Sequence, residues 1–350
     1  MSNISAWQYF TLFTAAFGIV GFLTPQMRKI AIKRKIYDAP TSSHKTHIEP
    51  VPYLGGVAIA VGTTTIIFLA LLLSNADSSQ FRLSLSLLVP ALALAMIGLV
   101  DDLRDLPPLP RLVAQSVAGL VTAIIVVKSN TVGNPTGSAI FDSLITIFWF
   151  VGICNSINFF DNVDGGASGA IATISFGVVL IAAVGGQVLI SACATVLLGS
   201  SLGFLIWNRS PARIYMGDAG SLFLGSIISI LTIRLNPQTN SQVASFAIPL
   251  FLLAIPVLDT CVAVTSRIIR GISPFQGGQD HLSHRLMNRG MPKRLAVFVL
   301  WSLSLFFVSA AIALNTFITS EIFVVAIVLI WIILLILFLA LKTKETTSVP

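Results

Sequence analysis

The sequence has little charge and no polar stretch long enough to fold as a soluble domain. Charged residues make up 10% of its 350 residues and hydrophobic residues 55%, and the mean hydropathy is +0.91. This composition excludes an ordinary soluble core and is typical of a chain that crosses a lipid bilayer many times. The longest polar stretches, 27–52 and 268–293, have the size of loops.

Cysteine is also scarce, which excludes a fold stabilised by disulfides. Cys154, Cys193 and Cys261 lie in or at the ends of apolar runs. They match neither a disulfide framework nor a metal-binding spacing. We interpret them as small buried hydrophobic residues.

Long apolar runs dominate the rest of the chain, and their length is close to that of a membrane-spanning helix. There are eleven: 6–26, 53–74, 82–100, 111–128, 139–154, 165–183, 187–207, 220–235, 243–267, 294–315 and 321–341. Pro249 and Pro256 predict a kink in the ninth run. The sequence therefore predicts an all-α polytopic membrane protein with about eleven transmembrane helices, forming a single integral membrane domain over 1–350.

Basic residues are absent before the first run and frequent after it, which predicts an N-terminus outside the cell. With this orientation, 18 of the 21 Lys and Arg residues are cytoplasmic, and only Arg82, Lys128 and Arg234 lie outside. The bias follows the positive-inside rule, so it explains the net charge of +7 without a nucleic-acid partner. It also predicts a cytoplasmic C-terminus and a first run that is not a cleavable signal peptide.

Acidic residues collect in the predicted cytoplasmic loops, at about 27–52, 101–111, 155–164, 208–219 and 268–293. Six aspartates lie at this face: Asp101, Asp102, Asp105, Asp161, Asp164 and Asp218. An acid at a helix centre costs about 2.5–3.5 kcal/mol on insertion scales, and six acids at one face predict one site. Three interpretations stay open for each: a Mg²⁺ ligand, a general base or a helix cap.

Spacing adds detail to three of these acids. If their segment is helical, Asp161 and Asp164 lie on one face. Asp218 stands just before a predicted span, where it would be a reasonable N-cap. The backbone of Gly217–Ser221 could bind an anion at the same helix start.

Basic residues and histidines occupy the same loops. Lys45 and His47 lie in the first loop, and His281, His284 and Arg285 lie in the last. The two histidines of the last loop could bind zinc, although no cysteine or third histidine stands nearby. The arginines could attract anionic lipid headgroups or bind phosphates. Acids that hold Mg²⁺ beside bases that hold phosphate predict a phosphoryl-transfer site.

Five motifs in these loops resemble, in order, those of the polyprenyl-phosphate N-acetylhexosamine-1-phosphate transferases. They are DAPTSSHKTHIEPVPYLGG at 38–56, DDLRDLPPLPRLVAQ at 101–115, NSINFFDNVDGGASG at 155–169, GFLIWNRSPARIYMGDAGSLFLG at 203–225 and SPFQGGQDHLSHRLMNRG at 273–290. This family includes the bacterial undecaprenyl-phosphate GlcNAc-1-phosphate transferases and the phospho-MurNAc-pentapeptide translocase.

The resemblance implies a reaction at the cytoplasmic side of the cell membrane, with UDP-HexNAc and polyprenyl phosphate as substrates. An oxygen of the lipid phosphate attacks the β-phosphorus of the UDP-sugar, and UMP leaves. The lipid-linked sugar begins the membrane steps of cell-envelope polysaccharide synthesis. Mg²⁺, or Mn²⁺ in its place, is the implied cofactor. A homodimer is a possible assembly.

The resemblance also implies a role for each site residue. The implied metal ligands are Asp218 and Asp161. Catalysis is assigned to Asp101, Asp102, Asp161 and Asp164, with the first two handling the lipid phosphate. A phosphate monoester already carries charge near neutral pH, so we favour positioning over proton removal. The implied substrate-binding residues are Lys45, His47, Asn155, Asn158, Asn208, His281, His284 and Arg285.

Two residues depart from the family pattern. Asn162 stands where glycine is usual after the first aspartate of the third motif, and asparagine tolerates a left-handed backbone. Ser283 replaces one histidine of the His-x-His-His pattern in the last loop. The resemblance associates that loop with the choice of sugar. GlcNAc is therefore the favoured sugar, with the phospho-MurNAc-pentapeptide translocase as the alternative.

Two other classes of protein were weighed. A CDP-alcohol phosphotransferase shares an Asp-x-x-Asp-Gly element, but its second aspartate pair is missing and eleven spans are too many. A secondary transporter would have polar residues at mid-membrane and an internal repeat, and no clear repeat is present. Asp259, three residues after Pro256, is the acid that a transporter would use; it could equally orient a cytoplasmic loop.

Overall fold

The computed structural model describes residues 4–38, 50–74, 76–104, 106–128, 138–239, 241–274, 277–318 and 320–341. Lys45, His47 and Asp105 lie outside these described residues, so the structure does not bear on their predicted roles.

The described chain is almost entirely helical, which confirms the predicted fold class. In chain order its elements are α1 Ala6–Arg34, β1 Tyr37–Asp38, β2 Val51–Pro52, α2 Gly55–Leu73, α3 Ser78–Arg104, α4 Pro108–Lys128, α5 Ala139–Phe160, α6 Gly166–Val184, α7 Val188–Asn208, α8 Gly217–Ile233, α9 Gln242–Leu252, α10 Ala254–Ile269, α11 Leu282–Asn288, α12 Lys293–Thr316 and α13 Glu321–Ala340. The two strands pair antiparallel.

Nine helices of the described part are long and apolar enough to cross a membrane: α1 to α7, α12 and α13. The helices α9 and α10 meet at a bend of 72°, in the run where Pro249 and Pro256 predicted a kink. The shorter apolar helix α8 has 17 residues. The chain is thus an integral membrane protein with many apolar helices, as its composition predicted.

Helix α8 lies at the centre of the bundle. Every residue from Ala219 to Thr232 is buried, because α2, α3 and α5 pack around this helix. Two glycines allow the close approach. A Cβ on Gly98 of α3 would lie 2.4 Å from the carbonyl carbon of Asp218, and a Cβ on Gly56 of α2 would lie 2.1 Å from the nitrogen of Gly220. Both neighbours are rigid backbone, so these positions require glycine.

The loops at one end of the bundle are tied to one another. Helices α3, α5 and α7 end where α2, α6 and α8 begin. The N–H of Tyr215 donates to the carbonyl of Pro52 at 2.9 Å, and the N–H of Gly55 donates to the carbonyl of Tyr215 at 3.0 Å. These bonds join the segment after β2 to the segment that leads into α8, so the described parts of the predicted loops meet around one helix start.

Candidate active site

The start of α8 carries an acidic centre bridged by one arginine. Nη1 of Arg111, in α4, lies 2.6 Å from Oδ2 of Asp101 in α3 and 2.6 Å from Oδ2 of Asp218 in α8. The Asp101 side chain is 8% exposed and that of Asp218 is 25% exposed, so the centre is closed on one side and open on the other. The structure therefore brings together two acids that the second and fourth motifs were predicted to supply.

Asp102 is the cap of α8, although it belongs to α3. Its Oδ1 accepts a hydrogen bond from the N–H of Asp218 at 2.7 Å, and its Oδ2 accepts one from the N–H of Ala219 at 3.1 Å. Gly217 adopts φ +67°, and a Cβ there would lie 2.5 Å from Oδ2 of Asp102. The interpretation of Asp218 as its own helix cap is therefore wrong, because the carboxylate at this N-terminus is that of Asp102. The same carboxylate takes the anion position predicted at this helix start.

Two asparagines of α5 form the wall next to Asp218. Nδ2 of Asn158 donates to Oδ1 of Asp218 at 2.8 Å and to the Ser221 hydroxyl at 2.9 Å. Nδ2 of Asn155, one turn earlier, donates to Oε1 of Gln115 at 2.5 Å. Both predicted asparagines thus lie beside the acidic centre, where their amides fix the side chains of α4 and α8.

A cavity of about 40 Å³ opens between α4, α5 and α8. Its polar lining consists of Arg111, Gln115, Asn155, Asn158 and Asp218. This volume has room for a few water-sized groups. One carboxylate, one guanidinium and three amides therefore converge on a space next to the acidic centre, which is the chemistry that binds a cation or a phosphate oxygen.

Asp161 lies in the turn between α5 and α6, so it does not share a helical face with Asp164. Burial raises the pKa of the Asp161 carboxyl well above its usual range, and the negative charges of Asp218, Asp102 and Asp164 raise it further. Among the described residues, no side chain donates a hydrogen bond to this carboxylate. A partly buried acid near other acids, to which no described side chain donates a hydrogen bond, is suited to a bound cation.

Asp164 and Asn208 hold the turn in place instead of lining the cavity. Oδ2 of Asp164 accepts from the N–H of Ala212 at 3.2 Å and lies 3.3 Å from Nζ of Lys293. Oδ1 of the buried Asn208 accepts from the N–H of Gly165 at 3.0 Å, while its Nδ2 donates to the Ile214 carbonyl at 3.1 Å. The two side chains join the turn after α5 to the segment before α8.

Asp259 orients the last loop, which is one of the two roles that its place in the sequence allowed. It is fully buried. Its Oδ1 accepts from the N–H of Leu282 at 2.7 Å, and its Oδ2 lies 2.7 Å from Nδ1 of His281. One carboxylate on α10 thus fixes both the start of α11 and the ring of a predicted substrate-binding histidine.

A buried ion pair that the sequence reasoning missed stands beside this histidine. Nε of Arg267 lies 3.0 Å from Oδ2 of Asp280, Arg270 pairs with the other oxygen of the same carboxylate, and Nη2 of Arg267 lies 3.4 Å from Nε2 of His281. A buried arginine at the end of an apolar span requires an acid partner. That requirement is the signal that could have identified Arg267 and Asp280.

Arg285 caps α13, in contrast to its predicted contact with phosphates. Its Nη1 donates to the carbonyl of Phe338 at 2.9 Å and to that of Leu341 at 2.5 Å, and its Nε donates to the Asp280 carbonyl at 2.8 Å. The guanidinium is buried and does not line the cavity. These bonds satisfy carbonyls at a helix C-terminus, where a cation is also favoured by the helix dipole.

His284 is buried and neutral. Burial, together with the neighbouring His281, lowers the pKa of its imidazole to about 4. The ring centroids of the two histidines are 5.9 Å apart. Nδ1 of His284 has no hydrogen-bond partner within the described part of the chain. His281 and His284 therefore form one buried pair next to Asp259.

Mg²⁺ fits the acidic centre on the chemistry of its donors. Within the described ranges no group of three His, Cys, Asp or Glu side chains is arranged to hold a metal ion. Mg²⁺ is commonly bound through one or two carboxylates together with substrate phosphates and water. Two such carboxylates are available. That of Asp161 accepts no hydrogen bond from a described side chain, and that of Asp218 is the more exposed acid of the centre.

Comparison with known proteins places this geometry in context. Residues 84–236 match the family model of glycosyl transferase family 4, which covers α3 to α8. The chain is 32% identical over 300 residues to a probable undecaprenyl-phosphate N-acetylglucosaminyl 1-phosphate transferase of Bacillus subtilis, covering 84% of this chain and 81% of the relative.

Two further relatives differ in how much of the chain they match. A decaprenyl-phosphate N-acetylglucosaminephosphotransferase of Mycolicibacterium smegmatis is 30% identical over 81% of this chain and 76% of its own length. A phospho-N-acetylmuramoyl-pentapeptide-transferase of Streptococcus pneumoniae is 29% identical over only 53% of this chain and 60% of its own length. The similarity to the N-acetylglucosamine enzymes is therefore the more extensive.

Proposed function

The chain belongs to glycosyl transferase family 4, and from that premise we propose that it transfers GlcNAc-1-phosphate from UDP-GlcNAc to polyprenyl phosphate, with undecaprenyl phosphate as the acceptor. The observation that carries the proposal is the centre in which Arg111 joins Asp101 and Asp218 beside a cavity lined by amides. Relatives that match most of the chain are named for this transfer, which favours GlcNAc over the muramoyl-pentapeptide donor.

The reaction exchanges one phosphoanhydride bond for another. An oxygen of the lipid phosphate forms a bond to the β-phosphorus of UDP-GlcNAc. The bond from that phosphorus to the bridging oxygen breaks, and UMP leaves with the electron pair. A phosphate monoester has a second pKa of about 6, so the attacking oxygen is already anionic at neutral pH. Asp101 is then needed to position groups rather than to remove a proton.

We assign the metal to Asp218 and Asp161, with Mg²⁺ as the natural ion and Mn²⁺ as a substitute. When bound there, the ion neutralises charge on the diphosphate of the donor. Asn158 holds Oδ1 of Asp218 at 2.8 Å, so the carboxylate is oriented before any ligand arrives. Asp102 supports the metal site indirectly, because its carboxylate accepts a hydrogen bond from the backbone N–H of Asp218.

Arg111 is the side chain that we assign to substrate phosphate. Its guanidinium lines the cavity and is 29% exposed, and its planar fork matches phosphate oxygens. Asn155 and Gln115 lie on the same wall and supply hydrogen bonds to the substrates. Arg285 is assigned to the end of α13 instead, since its Nη1 and Nε are bound to backbone carbonyls.

We keep the other predicted substrate-binding residues as proposals. His281 and His284 lie in the loop next to the turn of Asp161, where the sugar-nucleotide would be held. Lys45 and His47 lie outside the described residues; Lys45 stays assigned to the phosphates and His47 to substrate binding. Asp164 and Asn208 support the site by holding the turn after α5.

We also propose the topology of the chain in the membrane. If α8 and the bent pair α9–α10 cross with the nine longer helices, the chain spans the bilayer eleven times, with its N-terminus outside and its C-terminus in the cytoplasm. The bias of 18 basic residues to 3 supports this orientation. It places the acidic centre at the cytoplasmic face of the cell membrane, where nucleotide sugars are available.

The test is a donor panel with the purified protein in detergent or nanodiscs. Undecaprenyl phosphate and Mg²⁺ are supplied with radiolabelled UDP-GlcNAc, UDP-GalNAc or UDP-MurNAc-pentapeptide, and EDTA controls are run in parallel. We expect an EDTA-sensitive product that is extracted into butanol from UDP-GlcNAc. Formation of lipid product from the muramoyl donor alone would assign the chain to the translocase reaction. Solute uptake into vesicles without any lipid product would support a transporter.

A further inference from the structure

The two residues that depart from the family pattern contact one another. The Ser283 hydroxyl, at the start of α11, donates to Oδ1 of Asn162 in the turn after α5, at a distance of 2.5 Å. The residues are 121 positions apart in the chain. Ser283 is only 1% exposed, so water does not compete for this bond. Two unusual side chains thus form a single contact, buried on the Ser283 side, between two loops of the candidate active site.

The surroundings of Asn162 fix the direction of this bond. Its Nδ2 donates to the carbonyl of Phe159 at 2.7 Å and lies 3.4 Å from Oδ2 of Asp259. Both neighbours are acceptors only, so the amide nitrogen must face them and the amide oxygen must face Ser283. Ser283 must therefore donate, and a residue without a donor at that position leaves the Asn162 oxygen buried and unpaired.

The contact belongs to a network that reaches the cavity wall. Asp259 accepts from the N–H of Leu282 and from the ring of His281, each at 2.7 Å. The His281 ring meets the Phe159 ring edge-on at a centroid distance of 5.9 Å, and Phe159 lines the cavity. Asn162 bonds to Phe159, Asp259 and Ser283 together. It therefore joins the cavity wall, the bent pair α9–α10 and the start of α11.

We propose that Asn162 and Ser283 are a matched pair of positioning residues that sets how the last loop and its histidines stand over the donor side of the cavity. Glycine at 162 offers no acceptor for Ser283. Histidine at 283 is too large for a buried position in contact with the Asn162 amide. Either substitution alone, to glycine at 162 or to histidine at 283, therefore breaks the contact. When both are made, glycine removes the Asn162 amide and histidine fills the space that it leaves. The donor-side effect rests on the proposed function; the coupling of the two residues does not.

A double-mutant cycle tests the pair. The variants are Asn162→Gly, Ser283→His and the double variant, with Ser302→Ala as control because its hydroxyl bonds only to the Phe298 carbonyl of its own exposed helix turn. For each purified protein, the melting temperature and the KM and kcat for UDP-GlcNAc are measured. We expect each single variant to raise KM at least tenfold with a smaller change in kcat. The double variant should return KM to within about threefold of the original, and the control should not change it.

The outcomes separate this inference from the proposed function. If the fold-changes in KM of the single variants multiply in the double variant, and their shifts in melting temperature add, the two residues are independent and the proposal is wrong. If no donor yields a lipid product but the melting temperatures show the rescue, the matched pair holds and the proposed function fails.

A smaller substitution covers the case in which Ser283→His does not fold. Ser283→Ala and Asn162→Gly/Ser283→Ala form a second cycle. Because the unpaired Asn162 oxygen contributes to the loss in Ser283→Ala, removing the Asn162 side chain in that background should cost less stability than Asn162→Gly costs alone. A double variant that is less stable by the full sum of the two single losses would contradict the matched pair.

Discussion

Asp102 and Asp218 are joined through the backbone: the carboxylate of Asp102, in α3, accepts the N–H of Asp218 at 2.7 Å and that of the following residue at 3.1 Å. The acid that caps α8 is therefore not the acid that faces the cavity. The two neighbouring aspartates of α3 therefore have different roles. Asp101 contacts Arg111, whereas Asp102 caps the helix that carries Asp218.

The first prediction concerns this cap. Replacing an N-cap acceptor by alanine costs about 1 kcal/mol of stability, and here it also releases the backbone of Asp218. We expect Asp102→Ala to lower the free energy of unfolding by about that amount and to reduce kcat at least tenfold. Asp102→Asn, which keeps one acceptor oxygen, should lie between the two proteins. Chemical denaturation and initial rates measure both effects; an Asp102→Ala protein with full kcat would show that the cap does not position Asp218.

The second prediction concerns Asp218 as a metal ligand. Asp218→Asn keeps the size of the side chain but removes the charge that a divalent cation needs. We expect turnover to fall below detection while the protein stays folded and membrane-inserted. Glu321→Gln, an acid at the start of α13 whose side chain contacts Ser241, is the control and should leave turnover unchanged. Near-normal activity of Asp218→Asn would remove this residue from the metal site.

The third prediction concerns Asp161, where stability and activity should change in opposite directions. Its raised pKa means that the ionised carboxylate is less favourable in the folded protein than in the unfolded chain, so stability decreases as the pH rises past the usual range of aspartate. In EDTA at neutral pH, Asp161→Asn should therefore have the higher melting temperature. Its activity with Mg²⁺ should fall at least a hundredfold. A variant that melts lower and keeps its activity would contradict both assignments.

The fourth prediction concerns pH and His284. The folded-state pKa of about 4 lies below the ordinary histidine value of about 6.5, so the unfolded chain binds the proton first. The contribution of neutral His284 to stability is complete above about pH 6.5 and is lost as the pH falls towards 4. Melting curves between pH 7 and 4.5 should show a smaller decline for His284→Gln than for the original protein. Parallel curves would indicate that His284 does not titrate in this way.

The fifth prediction separates Arg285 from substrate binding. Since its guanidinium bonds to the last carbonyls of α13, Arg285→Met should lower the melting temperature by several degrees and leave the KM for UDP-GlcNAc of the folded protein within about twofold. Arg111→Met should do the reverse, with a raised KM and a retained melting temperature. An increase in KM for Arg285→Met alone would restore its predicted role at the phosphates.

The fold was largely predictable because membrane spans depend on local composition. The apolar runs identified most of the long helices within about four residues, although α1 and α5 continue to Arg34 and Phe160, well past the runs 6–26 and 139–154. The two prolines of the ninth run predicted the bend between α9 and α10. The division of that run into two helices at 72° was less accessible, since the angle depends on how each half packs against its neighbours.

The sequence predicted which residues belong to the site, but not which of them contact one another. Motif order brought Asp101, Asp218, Asn155 and Asn158 to one face. The structure places Asp218, Asn155 and Asn158 on one cavity and joins Asp101 to Asp218 through Arg111. The cap formed by Asp102 joins residues 116 positions apart, so no helical spacing could identify it. The turn between α5 and α6 separates Asp161 from Asp164, because the helix ends before the first of them and the assumed shared face does not exist.

The fate of the β-phosphorus of the donor distinguishes transfer of the sugar phosphate from transfer of the sugar alone. UDP-GlcNAc labelled with ³²P in the β-phosphate is incubated with the purified protein, undecaprenyl phosphate and Mg²⁺, and the nucleotide and lipid products are separated. We expect the label to enter the butanol-soluble lipid and UMP to be released in equal amount. Release of labelled UDP, with unlabelled sugar on the lipid, would mean that the sugar alone is transferred and would contradict phosphoryl transfer at the start of α8.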